Sequence, residues 1–225
     1  MTMTLPVLTI DGPSGSGKGT VSRAVAKALG WHFLDSGAIY RSLAFAALQS
    51  GMHLDDEASL AELAVSMDLV FSADDPPQVW LDGIDIALQI GTETVGNAAS
   101  CVAQIKGVRE ALLQKQLSFK KPPGLVADGR DMGSVVFKEA PFKVFLTASA
   151  EVRAKRRLMQ LKDKGHDVNL NGLISEIEQR DRRDLVRTEA PLVRAEGAVL
   201  IDSSDLSIDE VIRQVMKVVQ SDLDE

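Results

Sequence analysis

The stretch Leu5–Thr20, LPVLTIDGPSGSGKGT, decides the fold of this chain. The apolar run Leu5–Ile10 comes first, the small residues from Asp11 to Thr20 follow, and apolar residues at helical spacing come next. Small residues between a buried strand and a helix start let successive backbone N–H groups point at an anion, and the helix N-terminus adds its positive end. The sequence therefore predicts a phosphate-binding loop.

The spacing from Gly12 to Gly17 and Lys18 fits the P-loop pattern, in which the lysine reaches the β- and γ-phosphates and a hydroxyl binds Mg²⁺. Gly19 occupies the position where that pattern has Ser or Thr, and the hydroxyl comes one residue later, at Thr20. A glycine-rich turn with an accidental lysine is the alternative, but the order of strand, loop and helix disfavours it. The GKGT ending resembles small-metabolite and nucleotide kinases more than GTPases or motor ATPases.

Composition bounds the class of protein. The chain has 225 residues, 45% of them hydrophobic and 25% charged, which suits one well-buried core with room for a small insertion. No uncharged apolar run approaches the roughly 20 residues that span a bilayer, and the N-terminus has no signal-peptide pattern, so we expect a cytoplasmic protein. The single Cys101 excludes an internal disulfide and is expected to be a buried, inert thiol. The three histidines have no ligand-like spacing, so we expect no structural metal site.

Charge is distributed unevenly. The net charge of −7 argues against a general affinity for nucleic acid or anionic membranes. Ten of the 13 arginines nevertheless lie between Arg109 and Arg194. Guanidinium groups bind phosphate in bidentate fashion, so this part of the chain can bind a small anion, although some of these arginines must be solvated surface residues.

A second strand and helix repeat the order of the first. Trp31–Leu34 is a short strand candidate, Asp35-Ser36-Gly37 is a helix start signal, and Ala38 to about Gln49 is a helix. The helix N-terminus, the Ser36 hydroxyl and Arg41 could hold a second anion. A plain N-cap with a surface arginine fits the same residues equally well.

A change of period predicts a small antiparallel β insert, which we bound at 66–92. Its strands are Asp68–Ser72, Gln78–Leu81 and Ile84–Leu88, with turns at 74–77 and at Asp82-Gly83. An insert beside a phosphate site is a candidate substrate clamp.

The second half of the chain supplies a matching carboxylate. Leu125–Ala127 predicts a buried strand that ends at Asp128, where a carboxylate can orient Mg²⁺ in P-loop chemistry. An Asp in an ordinary loop is the alternative, and the P-loop upstream makes it weaker.

Arginines recur on two later helices. Arg153 and Arg157 are four residues apart on a helix capped by Ser149, and the connector Lys162–Asp167 suits a lid. The next predicted helix is Leu170–Leu185, and Arg180, Asp184 and Arg187 stand at i, i+4 and i+7, a spacing that puts them on one face. Taken alone, this second stripe favours a solvated salt-bridge ladder.

Strands and helices alternate along most of the chain, which predicts an α/β fold with a parallel sheet flanked by helices on both faces. In such sheets, ligands bind beyond the carboxyl ends of the strands. The P-loop, Asp35-Ser36 and Asp128–Asp131 each follow a strand, so we expect them on one rim.

Four strings of the chain resemble the bacterial-type cytidylate kinases. They are LTIDGPSGSGKGT at Leu8–Thr20, LDSGAIYR at Leu34–Arg41, VREALL at Val108–Leu113 and ADGRDMGSVVF at Ala127–Phe137. The RAKRR stretch from Arg153 and EIEQRDRRD ending at Asp184 are similar as well. The resemblance runs from about Val7 to Val219 and implies a P-loop nucleotide kinase fold, one domain over 1–225, with the β insert and a short lid at 153–168.

The resemblance implies transfer of the γ-phosphoryl group of ATP, with Mg²⁺, to CMP or dCMP. It assigns the ATP phosphates to the loop residues Gly12, Pro13, Ser14, Gly15, Ser16, Gly17, Lys18, Gly19 and Thr20, with Arg153 and Arg157 as lid residues that touch ATP. It assigns the CMP phosphate to Ser36, Arg41, Arg130 and Arg187, the cytosine edge to Ser100, Arg109 and Asp131, and the pentose to Arg180 and Asp184. Thr20 and Asp128 are the candidate Mg²⁺ ligands, and Lys18, Asp128, Arg130 and Arg187 are the candidate catalytic residues.

Hydrogen-bond matching makes CMP and dCMP the expected acceptors, well ahead of UMP. Asp131 can accept from the exocyclic amine of cytosine, whereas UMP presents a carbonyl there. A GTPase switch would have Ser or Thr after the lysine and an NKxD string, and neither is present. A non-catalytic nucleotide-binding module and a kinase for another small phosphate acceptor stay open. We expect a monomer, because no long apolar stripe calls for a partner.

Overall fold

A computed structural model describes residues 5–71, 78–163 and 168–220. The chain divides into two units. Unit 1 comprises Met1–Leu34 and Lys120–Glu225, and unit 2 comprises Asp35–Phe119.

The helices and strands of the described residues alternate through most of the chain. In chain order they are β1 Val7–Asp11, α1 Lys18–Leu29, β2 His32–Asp35, α2 Ser36–Gln49, α3 Glu57–Ser66, β3 Leu69–Phe71, β4 Val79–Leu81, β5 Ile84–Asp85, α4 Glu93–Val102, α5 Lys106–Leu117, β6 Leu125–Gly129, β7 Phe142–Thr147, α6 Ala150–Asp163, α7 Leu170–Val186, β8 Val199–Asp202 and α8 Ile208–Gln220. A 3₁₀ turn at Gln89–Gly91 and a π-helical turn at Met132–Val136 complete the set.

Unit 1 is built on a five-stranded parallel sheet with the order β2-β6-β1-β7-β8. β1 lies in the middle and pairs in parallel with β6 and β7. All five residues of β1 are buried, as expected for a central strand with both faces covered. In this register Ile10 pairs with Asp128 and Asp11 with Gly129, so the ends of β1 and β6 are level.

Glycines mark both ends of α1. Gly17 is the N-cap with φ 94°, and Gly30 is the C-cap with φ 65°. Both residues are in the left-handed region, which glycine adopts without a steric penalty. The apolar face of the helix, with Val21 and Val25, packs into the core that also holds Leu8 and Val126.

Unit 2 contains four helices and a small antiparallel sheet in the order β3-β4-β5 within its described residues. Asp82 and Gly83 have φ of 50° and 80°, as a tight hairpin turn requires. The predicted turn at this position is therefore confirmed. The predicted turn at 74–77 lies outside the described residues.

The α/β class, the parallel sheet and the small antiparallel sheet are confirmed. The predicted strand Ile84–Leu88 is wrong in length, because β5 ends at Asp85. The Asp85 side chain accepts a hydrogen bond from the N–H of Ala87 at 3.0 Å, and this local turn stops the strand. The boundaries 66–92 and 153–168 stay predictions, and residues 164–167 of the expected lid lie outside the described residues.

The expectation of a buried Cys101 is wrong, because its side chain is exposed. Cys101 lies four residues after Asn97 on α4, and Asn97 is exposed too, whereas Val95 and Val102 face the interior. Among the described residues, no helix is both long enough and apolar enough to cross a membrane.

Candidate active site

The loop between β1 and α1 has a backbone that requires glycine. Gly12 has φ 152°, and a Cβ added there would lie 2.0 Å from the carbonyl oxygen of Leu146 in β7. Gly17 has φ 94° and directly precedes α1. The sequence-predicted phosphate-binding loop therefore occupies the position that P-loop chemistry needs, at the carboxyl end of a central strand and the start of a helix.

Lys18 is buried within this loop. Its Nζ donates to the carbonyl oxygen of Pro13 at 2.8 Å, and its side chain is 5% exposed. The pKa of Lys18 is lowered to about 7, mainly by burial and also by the Arg130 guanidinium, while Asp128 and Asp11 act in the opposite direction. A phosphate group near Nζ would relieve this cost, because an adjacent negative charge favours the protonated amine.

Asp128 lies at the end of β6 and is buried. A Cβ added at Gly19 would lie 3.5 Å from Oδ2 of Asp128, so this carboxylate faces the start of α1. Thr20 belongs to the same turn of α1 and is exposed. Among the described residues, no group of three or more His, Cys, Asp or Glu side chains forms a metal cage.

Asp11, at the end of β1, was not among the sequence-predicted site residues. Its two carboxylate oxygens accept the N–H groups of Met132 and Gly133, each at 2.8 Å. The pKa of Asp11 is raised to about 6, mainly by burial and also by Asp131, although the two N–H groups and Lys18 act in the opposite direction. Asp11 thus fixes the turn that follows Asp128–Asp131.

Arg130, which is partly buried, and Asp184, which is buried, form an ion pair. Nε of Arg130 donates to Oδ2 of Asp184 at 2.9 Å, and its Nη1 donates to the carbonyl oxygen of Gly129 at 3.3 Å. Burial alone would raise the pKa of Asp184, but Arg130, Arg180 and Arg187 together outweigh it, and the pKa falls below its ordinary value. The solvated ladder expected for this face of α7 is therefore wrong for Asp184, which is 5% exposed, and for Arg187, which is 8% exposed.

Arg187 follows the end of α7 and lies near Asp131. Its Nη2 is 3.8 Å from Oδ1 of Asp131, and its Nε donates to the carbonyl oxygen of Ala190 at 2.6 Å. Asp131 is 3% exposed. Arg180 contributes to the field at Lys18 and Asp184, since it acts on the pKa of both.

The arginines of α6 contact protein groups. Arg153 is buried, and its guanidinium forms an ion pair with Asp181 of α7 at 2.6 Å. Arg157 is half-buried, and its Nη1 lies 3.5 Å from Oε1 of Gln160. Arg156, which the sequence did not single out, donates to the carbonyl oxygen of Ser16 in the loop at 3.3 Å.

In unit 2, Ser36 and Arg41 belong to α2. The Ser36 hydroxyl donates to Oε1 of Gln116 at 3.0 Å, and Nη1 of Arg41 donates to the carbonyl oxygen of Ile90 at 2.9 Å. The carboxylate of Asp35 caps the helix by accepting the N–H of Ala38 at 2.9 Å. Because the N–H of Ala38 is already used, an anion bound at this helix N-terminus would be held mainly by side chains.

Ser100 and Arg109 are also in unit 2. Ser100 is 7% exposed, and its hydroxyl has no hydrogen-bond partner among the described residues. Arg109 lies with Cζ 5.7 Å from the ring centroid of Tyr40, and its Nη1 donates to the carbonyl oxygen of Ala103 at 3.2 Å. A buried hydroxyl without a partner is costly, so Ser100 is suited to a ligand.

The residues that sequence reasoning missed gave weak signals. Asp11 directly precedes the loop, so its acidic side chain at a strand end was a usable signal. Gln116, Arg156 and Asp181 lie on helices among many polar residues, and nothing in their spacing separates them from solvated neighbours.

Comparison with known proteins gives one family. The family model described as cytidylate kinase matches residues 8–221. A cytidylate kinase of Methylococcus capsulatus is 63% identical over 218 residues, covering 97% of this chain and 98% of the relative. A cytidylate kinase of Edwardsiella ictaluri is 55% identical, covering 96% of each chain.

A solved structure from Thermus thermophilus supports the fold alone. It has a TM-score of 0.51 and 19% identity and covers 98% of this chain and 99% of its own. The sequence matches extend through the P-loop, the strand ending at Asp128 and the arginine-bearing helices. The chain belongs to the cytidylate kinase family.

Proposed function

We propose that this protein transfers the γ-phosphoryl group of ATP to CMP or dCMP and yields ADP and CDP or dCDP. The observation that carries the proposal is the meeting of Lys18, Asp128 and Arg130 at the ends of β1 and β6, where their charges act on one another. Membership of the cytidylate kinase family, with relatives of that name covering nearly the whole chain, supports the choice of acceptor.

The proposed reaction is a direct in-line transfer. A phosphate oxygen of CMP attacks the γ-phosphorus, the bond from that phosphorus to the β–γ bridging oxygen breaks, and ADP leaves with the electron pair. The attacking oxygen is already ionised at neutral pH, so no strong base is needed. The protein has to align the two nucleotides and surround the transferred group with fixed positive charge.

We assign these tasks residue by residue. The loop from Gly12 to Thr20 binds the ATP phosphates, and Lys18 lies between the β- and γ-phosphates. Arg130 and Arg187, with Ser36 and Arg41, bind the CMP phosphate, and Arg180 and Asp184 bind the pentose. Ser100 and Arg109 donate to the ring nitrogen and carbonyl of cytosine, and Asp131 accepts from its amine. Arg157 is proposed to touch ATP.

The oxygen atoms of Asp128 and Thr20 in unit 1 suit a Mg²⁺ ion that is also coordinated by nucleotide phosphates. Such sites use one or two carboxylates and complete the shell with phosphate oxygens and water, so a cage of several acidic residues is not needed. Asp128, with its carboxylate facing Gly19, and the Thr20 hydroxyl would hold the ion. The ion would neutralise charge on the β- and γ-phosphates.

The proposal also covers location, oligomeric state, partners and closure over the substrates. We propose a cytoplasmic monomer that uses ATP as donor and binds neither nucleic acid nor membrane, in line with its net charge of −7. The β insert at 66–92 and the short lid at 153–168 are proposed to close over the substrates and exclude water.

A coupled assay of ADP release tests the proposal. ATP and Mg²⁺ are supplied with CMP, dCMP, UMP, AMP, GMP or no acceptor, and we expect release that depends on CMP or dCMP. Lys18→Met should abolish it, whereas Lys27→Met, a change at an exposed lysine of the same helix, should leave it intact. Release without acceptor, or only with another monophosphate, would contradict the proposal.

A further inference from the structure

The outward-facing carbonyl groups of the phosphate-binding loop are held by the helix that follows β7. Nη1 of Arg153 donates to the carbonyl oxygen of Ser14 at 3.1 Å, and Nη1 of Arg156 donates to that of Ser16 at 3.3 Å. Arg153 and Arg156 are three residues apart on α6 and so lie on neighbouring positions of one face. Two carbonyl groups of the loop, two residues apart, are thus anchored from outside.

Arg153 is committed to protein partners. Its Nε donates to the carbonyl oxygen of Ala148 at 2.9 Å, and its two terminal nitrogens donate to the carboxylate of Asp181 at 3.1 and 2.6 Å. Together with the bond to Ser14, all three guanidinium nitrogens have a partner, and the residue is 4% exposed. A guanidinium used in this way is a structural anchor, since a nucleotide contact would require these bonds to be given up.

Arg156 and Ser203 form the second anchor. Nη2 of Arg156 donates to the carbonyl oxygen of Ser203 at 2.7 Å, and its Nη1 lies 3.1 Å from the Ser203 hydroxyl. That hydroxyl is also 3.1 Å from the carbonyl oxygen of Ser16. Ser203 follows β8 and is 2% exposed, so it ties the loop to the core of unit 1.

Peptide geometry links these outside contacts to phosphate binding. In a planar trans peptide, the carbonyl of one residue and the N–H of the next point in opposite directions. Holding the carbonyl of Ser14 outward therefore directs the N–H of Gly15 inward, and holding that of Ser16 directs the N–H of Gly17 inward. Glycine is conformationally permissive, so local sterics alone do not fix either peptide plane.

We propose that Arg153, held by Asp181, and Arg156, held by Ser203, are positioning residues that set the direction of the Gly15 and Gly17 N–H groups and thereby the affinity for nucleotide phosphates. Arg153 acts through the loop and does not touch ATP, which replaces the lid role that the resemblance implies for it. The inference rests on the proposed function only in taking a nucleotide as the ligand of the loop.

The test measures ADP affinity by calorimetry, without CMP. Asp181→Asn should weaken ADP binding about tenfold, because Arg153 loses a charged partner and the loop loses its fixed geometry. The matched control is Glu178→Gln, which removes one negative charge from an exposed position of α7 and should leave the affinity unchanged. An unchanged or tighter affinity in Asp181→Asn would overturn the proposal, since a released Arg153 that touches ATP would strengthen binding.

A double-mutant cycle distinguishes an anchoring role of Arg153 from a direct contact of Arg153 with ATP. If Arg153 and Asp181 act through one shared anchor, Arg153→Ala with Asp181→Asn should be no weaker than Arg153→Ala alone. Additive losses would overturn the anchor. Ser203→Ala is the variant of choice if Arg153→Ala fails to fold, and it should weaken ADP binding about threefold by removing the hydroxyl contact to the Ser16 carbonyl. Wild-type affinity in a folded Ser203→Ala protein would contradict the second anchor.

The two proposals fail in different ways. Absence of CMP-dependent ADP release by the unmutated protein would refute the proposed function. Equal ADP affinity of the unmutated protein and Asp181→Asn would refute the positioning role, whatever the acceptor is.

Discussion

Arg130 and Asp184 lie 54 positions apart in the sequence, and their side chains form a 2.9 Å hydrogen-bonded ion pair inside unit 1. Asp184 has a carboxylate that is almost fully buried, and Arg130 is proposed to bind the CMP phosphate. The pair keeps the guanidinium oriented before any substrate arrives. Preorganised charge of this kind is more effective than charge that must be reoriented during the reaction.

Asp184→Asn should lower the free energy of unfolding by about 1.5–3 kcal/mol at pH 7, because it leaves the partly buried Arg130 without its charged partner. The pKa of Asp184 in the folded state lies below its ordinary value of 3.8. Its contribution is therefore present above pH 3.8 and lost as the pH falls through the lower, folded value. Urea unfolding at pH 7, 4 and 3 should show the difference between the two proteins shrinking with acid.

The control for this measurement is Asp205→Asn, a change at an exposed aspartate. It should leave both the stability and its pH dependence as they are. A constant difference between the unmutated protein and Asp184→Asn across this pH range would refute the stabilising charge.

Asp11→Asn should detach the turn at Met132–Val136 from β1. The carboxylate accepts two N–H groups, whereas the amide offers one acceptor and an NH₂ group that opposes the second N–H. We expect a loss of about 1–3 kcal/mol in the free energy of unfolding and a lower kcat, because Arg130 and Asp131 directly precede this turn.

The contribution of Asp11 to the free energy of unfolding changes with pH in the opposite direction to that of Asp184. The pKa of Asp11 is raised to about 6, so its contribution to stability is fully present below 3.8 and is lost as the pH rises through 6. The stability advantage over Asp11→Asn should shrink by up to about 3 kcal/mol between pH 4 and pH 7. Thermal unfolding of the unmutated protein and of Asp11→Asn at both pH values measures this stability difference. Asp55→Asn, a change at an exposed aspartate, is the control. A stability difference that grows with pH would be inconsistent with a buried carboxylate.

Ser100→Ala should separate stability from substrate binding. The Ser100 hydroxyl is buried without a partner among the described residues, so its removal should leave stability unchanged or raise it by about 1 kcal/mol. The same change should raise KM for CMP about tenfold if the hydroxyl donates to cytosine. Steady-state kinetics and urea unfolding provide the two readouts.

Ser22 offers the matched control for this variant. It is buried in α1, and its hydroxyl likewise has no partner within the described part of the chain. Ser22→Ala should match the stability effect and leave KM for CMP as it is. A rise in KM for both variants would mean that general loosening, and not a lost cytosine contact, is responsible.

Asp131→Asn should relax the choice of base. The carboxylate is proposed to accept from the cytosine amine and to repel the uracil carbonyl, whereas an amide can donate to that carbonyl. We expect the ratio of kcat/KM for UMP to that for CMP to rise at least about tenfold. ADP affinity is the control and should not change. An unaltered UMP-to-CMP ratio would remove Asp131 from base recognition.

Local features of the sequence predicted much of the fold. The helix after the loop followed from apolar spacing, and the hairpin turn at Asp82-Gly83 followed from turn chemistry. The apolar runs Leu5–Ile10 and Leu125–Ala127 predicted the two strands β1 and β6, which end at Asp11 and Gly129. The expected burial of Cys101 was wrong, because a helix of small residues has more than one face that could be buried.

The sequence by itself determined the phosphate-binding loop, the strand carrying Asp128 and the α/β class, because backbone propensity and hydrophobic periodicity act over a few neighbouring residues. Only the tertiary structure decided that Asp181 holds Arg153, that Asp184 holds Arg130, and that Asp11 holds the turn at Met132. Ion pairs and hydrogen bonds form over about 3 Å between side chains that are far apart in the chain, so their partners are chosen by packing and not by spacing along the sequence.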